Sequence, residues 1–149
     1  MAKMSKELLD LINNVMFCYL ATASKEGVPD VIPIGSIRAV SPDTIVMTAG
    51  QIPKSLRNLK ENRKAAILVL SSAPSEGEVS IPKLLQVHGG QIKGTVEVMT
   101  SGDIHEQMKD MVAELVHPEV ARKLRATLIL HVEEISYIGL WPVAEKIIA

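Results

Sequence analysis

Thr44 to Leu70, TIVMTAGQIPKSLRNLKENRKAAILVL, reads as strand, short basic turn, short helix, strand. The apolar run Ile45-Val46-Met47 ends in Thr48-Ala49-Gly50, small residues that let a ligand approach the backbone. Gln51 and Ile52 follow, and Pro53 fits the first position of a helix, where its missing N–H costs nothing. Lys54 and Ser55 share that first turn. Unpartnered N–H groups, the positive end of the helix dipole, an ammonium and a hydroxyl therefore meet at one place, a combination suited to a phosphate. Ile52, Leu56 and Leu59 recur at i, i+4 and i+7 and predict the face that pins the helix down. Beyond Asn62, Ala65 to Leu70 predicts a buried strand.

Outward toward the N-terminus, Ser41-Pro42-Asp43 is a turn, preceded by a strand over about Pro29 to Val40. Pro33 lies inside that strand and cannot donate to a ladder, so this part is expected at an edge, a bulge or the lip of an opening. Gly35 leaves bare backbone, and Ile34, Gly35 and Ser36 are placed to face a flat ligand; a kinked edge strand without a ligand is the competing reading. Ser24-Lys25-Glu26-Gly27 predicts a hairpin turn with Gly27 in the left-handed position. Before it, Phe17 to Ala23 is a continuous apolar strand. Ser5 caps a first helix whose Leu8, Leu9, Ile12, Val15 and Met16 line one face.

Toward the C-terminus, Ser71 to Lys83 is a loop rich in Ser, Pro, Glu and Gly. Leu84 to Met99 is expected to be extended, with breaks at Gly89-Gly90 and Gly94. Thr100 or Ser101 caps a helix bearing Ile104, Met108, Met111, Val112 and Leu115, and Pro118 opens another turn or two through Leu124. The last strand starts near Ala126. Leu128, Leu130 and Val132 alternate, but Ile135 is an odd step away, so Glu133-Glu134 marks a bulge or a strand changing sheets. Tyr137, Leu140, Trp141 and Pro142 follow. Tight turns joining strands with Gly and Pro bends predict a small antiparallel barrel in one domain, residues 1–149.

The composition narrows function further. A net charge of −1 argues against a nucleic-acid binder that works by charge. No apolar run is long enough to span a membrane, no signal core follows MAKMSKELLD, and Cys18 is the only cysteine, all of which point to a cytoplasmic protein. His88, His105, His117 and His131 lack metal-ligand spacing and read as surface, cap or strand residues. Cys18, in a strand without basic neighbours, reads as buried and inert. Glu133 and Glu134 would face opposite sides of a strand and make no acid–base pair. No P-loop, G-x-S-x-G or G-x-G-x-x-G motif is present. With no evident catalytic side chain, enzymatic chemistry would have to come from a cofactor.

The ordered set Leu20-Ala21-Thr22, a hairpin with Gly27 and Pro29, Pro33 within a strand, Thr48-Ala49-Gly50, Lys54-Ser55 and Asn58-Leu59 resembles the FMN-binding split-barrel family. That family includes pyridoxamine 5′-phosphate oxidase and smaller FMN-binding relatives. The resemblance covers Phe17 to Leu70 well and the tail more loosely. It implies a mainly β protein with flanking helices, a six-stranded antiparallel split barrel. It also implies a homodimer holding FMN at its interface, with a small molecule or redox protein as electron donor. By position, Ile32, Pro33, Ile34 and Gly35 would line the isoalloxazine, and Met47, Thr48, Ala49 and Gly50 its edge and ribityl chain. Lys54, Ser55 and Asn58 would serve the phosphate. Trp141 would either reach the ring across the dimer or simply anchor the core or interface. The oxidase itself carries two adjacent basic residues where this chain has Lys54-Ser55, and an Arg and His that the end WPVAEKIIA does not show, so its reaction is not expected here. The resulting expectation is a flavin oxidoreductase or electron carrier. The alternatives are a non-catalytic flavin-binding or storage protein, or a barrel using a haem or a deazaflavin. The last would need a more basic groove than Lys54 alone provides.

Overall fold

A computed structural model describes residues 2–15, 17–71, 80–84, 86–140 and 143–147. Helix α1 (Lys6–Asn14) opens under the Ser5 hydroxyl, which accepts from the Leu8 N–H. It lays Leu8 and Ile12 into the core, and each fully buried aliphatic side chain of this kind contributes about 1.5–3 kcal/mol. Strands β1 (Cys18–Ala23) and β2 (Pro29–Ile34) form the hairpin expected from Ser24–Gly27, and Gly27 has a φ of 85°. Strands β3 (Ile37–Ser41) and β4 (Thr44–Ala49) form the next hairpin and lead to α2 (Pro53–Glu61). Then come β5 (Lys64–Leu70), the short α3 (Ile81–Leu84) and β6 (His88–Met99). Helices α4 (Asp103–Leu115) and α5 (Pro118–Arg122) precede β7 (Ala126–Leu140) and β8 (Val143–Ile147).

All pairings are antiparallel, in the order β2-β1-β5-β6-β7-β4-β3, with β8 added beside β7. Strands β2 and β3 are consecutive in sequence yet sit at opposite ends of this order. The curled sheet thus closes on itself except at one seam, which Gly35 and Ser36 bridge. This is a split barrel. Its sheet has eight strands rather than six because the stretch expected as one strand over Pro29–Val40 breaks at that seam, and because β8 adds a further strand.

The bulge foreseen at Glu133-Glu134 is present. Lys93 pairs with Glu134 and Gly94 with Val132, leaving Glu133 unopposed. β7 does not change sheets there. Its first part, Thr127 to His131 with Ala126, pairs with β4, its last part pairs with β8, and β6 runs along the other edge throughout. An added Cβ on Gly94 would collide with the His131 carbonyl, so the bulge and the glycine are one device. Lys64 Nζ reaches the Glu133 carboxylate at 2.7 Å, and Lys93 reaches Glu134 at 2.9 Å.

Three expectations need correction. Helix α3 takes Ile81 to Lys83 from the expected loop and Leu84 from the expected strand, and extended chain begins only at His88. The N-cap of α4 is Gly102, with φ 99°, rather than Thr100 or Ser101. His105 is neither surface nor cap nor strand: it is buried under α4, its Nδ1 2.9 Å from Thr127 Oγ1. His117, by contrast, does cap α5, accepting from the Glu119 N–H.

The barrel interior is aliphatic, built on Leu20, Ile45, Met47, Ile67, Ile92 and Leu128. Cys18 belongs to it, and burial pushes its thiol up to about 12. The outer face of β2, β1 and β5 is apolar as well. Tyr19, Ala21, Val31 and Leu68 line a shallow hollow of about 350 Å³, and Val31 is 65% exposed. Phe17 packs edge-to-face on Tyr19, with ring centroids 5.6 Å apart.

Candidate functional site

The chain leaves β4 at Ala49 and turns through Gly50, Gln51 and Ile52 into α2. Pro53 occupies the first position of the helix, Ile52 caps it without a side-chain hydrogen bond, and no acidic residue lies in the first turn. The Lys54 and Ser55 N–H groups are among those that a helix leaves without an internal partner. A groove of about 790 Å³ begins at this turn. Gly50 to Pro53 form one end, Leu56, Arg57 and Lys60 of α2 one wall, and Arg125 the other. Arg125 is fixed at the start of β7 by its N–H, which donates to the Ala49 carbonyl at 2.8 Å.

The adjacent pair Lys54-Ser55 is parted by the helix. Lys54 is exposed. Ser55 is 1% exposed, and its hydroxyl donates to Asp30 Oδ2 at 3.0 Å. Asn58 is likewise turned inward, its amide donating to Thr22 Oγ1 at 3.0 Å. At the open helix end Ser55 thus offers its backbone N–H, while its hydroxyl serves the bond to β2.

The two strand segments expected to flank a ring do come together. The Thr48 N–H donates to the Ser36 carbonyl at 3.0 Å, holding the seam against β4. Ile34, Met47 and Ala49 belong to the core, so they present backbone to any ligand. Pro33 and Gly35 are exposed, Ile32 is half-buried against the core, and Thr48 is nearly buried on the face opposite Met47. An added Cβ at Gly35 or Gly50 would meet nothing within 4 Å. Packing of the chain itself does not require glycine at either place, which leaves room for something else to approach. Trp141 lies outside the described residues.

Sequence reading missed Arg57, Lys60 and Arg125. Arg57 and Lys60 stand at i and i+3 on the face of α2 that carries Pro53, a signal that was legible. Arg125 is remote in sequence and joins the groove only through the β4–β7 pairing. The groove therefore carries three cations of its own, and Lys54 is not among the residues that line it. Among the described residues, no group of three or more His, Cys, Asp or Glu is arranged to hold a metal, and no helix is long and apolar enough to cross a membrane.

A curled antiparallel sheet with one open seam, and an uncapped helix and basic groove beside it, defines a ligand-binding split barrel. The sequence profile of the pyridoxamine 5′-phosphate oxidase family matches residues 4–139, and the chain belongs to that family. It is 27% identical over 149 residues to an uncharacterised protein of Methanocaldococcus jannaschii, covering 99% of this chain and 89% of that one. HupZ of Group A Streptococcus superposes with a TM-score of 0.70 at 25% identity, over 96% of this chain and 98% of that chain. An FMN-binding protein of Syntrophomonas wolfei superposes with a TM-score of 0.72 at 20% identity, over 91% and 88%. An F420 reductase does so with a TM-score of 0.62 at 17% identity, over 89% and 98%.

Proposed function

We propose that this protein is a flavoprotein that binds FMN and acts as an oxidoreductase or electron carrier. The observation that carries the reading is the uncapped, acid-free N-terminus of α2 at the mouth of the groove. It stands beside a seam and a turn whose two glycines the fold itself does not need. The Lys54 and Ser55 N–H groups and the Lys54 ammonium would hold the phosphate. Backbone from Ile32 to Gly35 and from Met47 to Gly50 would meet the ring and ribityl chain. Bound FMN supplies hydride or electron transfer; the chain supplies position and electrostatics.

The apolar outer face of β2, β1 and β5 supports a homodimer, since a monomer has no use for an exposed Phe17, Tyr19 and Val31 on one surface. By the family resemblance, two FMN molecules would lie at that interface. A cytoplasmic location and a small-molecule or protein electron donor are part of the same reading. A second reading, a flavin-binding or storage protein without turnover, is favoured by the groove's ionisable groups, which are all cations with no carboxylate or imidazole to move a proton.

The test is a visible spectrum of the purified protein, repeated after addition of FMN and desalting. Flavin bands that remain with the protein are expected; FMN that washes away entirely sinks the reading. Retained FMN that is reduced by a nicotinamide donor and reoxidised by an acceptor in repeated turnover separates the enzyme from the binder.

A further inference from the structure

We infer that Met99 and Met111 form an oxidation site: hydrogen peroxide converts their thioethers to sulfoxides, and the change frees α4 from the sheet beside the barrel's seam. The site does not depend on which ligand the barrel holds.

Three of the chain's seven methionines, Met99, Met108 and Met111, meet in one small satellite core with Val46 and Ile129. Val46 and Ile129 are register partners on β4 and β7. Met108 and Met111 come from α4, and Met99 from the end of β6. The Met99 methyl lies 3.7 Å from the position a Cβ would take on Gly102, the N-cap of α4. Thioethers thus supply much of the apolar grip between this helix and the sheet. Val112 and the His105–Thr127 hydrogen bond add to it. Ile104 and Leu115, at the two ends of the helix's apolar stripe, are exposed and leave the middle to hold it.

Access separates these methionines from the rest. Met108 is buried, but Met99 and Met111 are half-buried and open to a small oxidant. Met4 and Met47, the other methionines among the described residues, are sealed in the barrel at 4% and 0% exposure. In the reaction the sulfur lone pair attacks the peroxide O–O bond. One oxygen stays on sulfur and the other leaves with both hydrogens as water, so sulfur loses two electrons and peroxide gains them. The sulfoxide is polar where the thioether was apolar. It finds no donor among the side chains of Val46, Ile129 and Met108. Burying it again leaves an unsatisfied acceptor, so the oxidised side chains favour water and α4 loses its hold. Met111 links that hold to the seam. With Val112 and Leu115 it faces Gly35, Ser36 and Arg38 across a hollow of about 80 Å³. The row of register partners from Met99 runs through Thr127 to Thr48, whose N–H donates to the Ser36 carbonyl.

The experiment treats the wild-type protein with hydrogen peroxide, locates sulfoxides by peptide mass spectrometry and follows amide hydrogen exchange by NMR before and after. Met99 and Met111 are expected to oxidise at least about tenfold faster than Met4 and Met47. The amides of α4 and of Thr48 should then exchange at least about tenfold faster, while those of β1 and β5 keep their rates. Methionine sulfoxide reductases, one for each epimer, should restore the slow exchange. The variant M99L/M111L, which nearly conserves volume, should keep α4 protected under the same treatment. Equal oxidation rates at the four methionines remove the site. Sulfoxides at Met99 and Met111 with α4 still protected overturn the release, and so does a loss of protection across the whole barrel. Faster exchange in α4 with Thr48 unchanged overturns the coupling to the seam. If M99L/M111L does not fold, the wild-type comparison before and after peroxide decides alone.

Discussion

Lys54 and Ser55 are neighbours in sequence but stand about 100° apart around a helix, and that angle divides their roles. Lys54→Ala is expected to weaken FMN binding by about 1.5–3 kcal/mol, the worth of a charge-assisted bond, with an unchanged Tm because the side chain is exposed. Flavin titration and thermal melts on the same preparation check both halves. Asn58→Ala should do the reverse. It leaves the buried Thr22 hydroxyl without its partner and should cost about 1–3 kcal/mol of stability, read from urea unfolding. Cys18 makes a pH statement. Its folded thiol is raised from an ordinary 9.0 to about 12 by burial. The unfolded chain therefore ionises first, and stability should be level below pH 9 and fall between about 9 and about 12. Iodoacetamide at pH 8 should label it only in denaturant. The open helix end with Lys54 beside it was legible in the sequence, and so was the burial of Cys18. The inward turn of Ser55 and Asn58 was not, because it depends on Asp30 and Thr22, which only the fold brings beneath α2.

At the scale of the element, β7 and its bulge show how far periodicity reaches. An odd step between Val132 and Ile135 announces an extra residue, and the extra residue is Glu133. What periodicity does not carry is the partner strand's answer, a glycine at position 94 that lets the His131 carbonyl approach. Gly94→Ala should cost about 1–3 kcal/mol, as overpacking does, and lower the Tm measurably. Lys64→Ala should cost under about 1 kcal/mol, since its pair with Glu133 is exposed. The Lys64 ammonium and the Thr95 hydroxyl hold the Glu133 carboxyl below its usual range. That small contribution is present at neutral pH and lost as pH falls through the carboxylate range. The break of the second strand into β2 and β3 was half legible: Pro33 marked an opening, but its meaning as the seam of the barrel needed the strand order.

For the whole molecule, the apolar face carrying Tyr19 and Val31 makes association the expected state. Sedimentation should give a dimer, and Val31→Glu, which sets a charge in place of a 65%-exposed apolar side chain on that face, should give a folded monomer. If the flavin lies at the interface, the same variant should lose it. A monomeric wild type that binds flavin stoichiometrically would sink the interface but leave the groove. The family was legible in the ordered motifs of the first seventy residues. The meeting of Arg57 and Lys60 with Arg125 was not, because it unites α2 with the start of a strand far downstream.

That downstream strand also sets a schedule. Synthesis runs from the N-terminus, so β4 and β6 emerge from the ribosome before β7, the strand that both require as a neighbour. Through that interval the nascent chain displays unsatisfied backbone edges flanked by aliphatic side chains, the kind of surface that captures other strands. The barrel can form only once β7 clears the exit tunnel. A cell making this protein quickly would need a chaperone to shield β4 and β6 until their shared partner arrives.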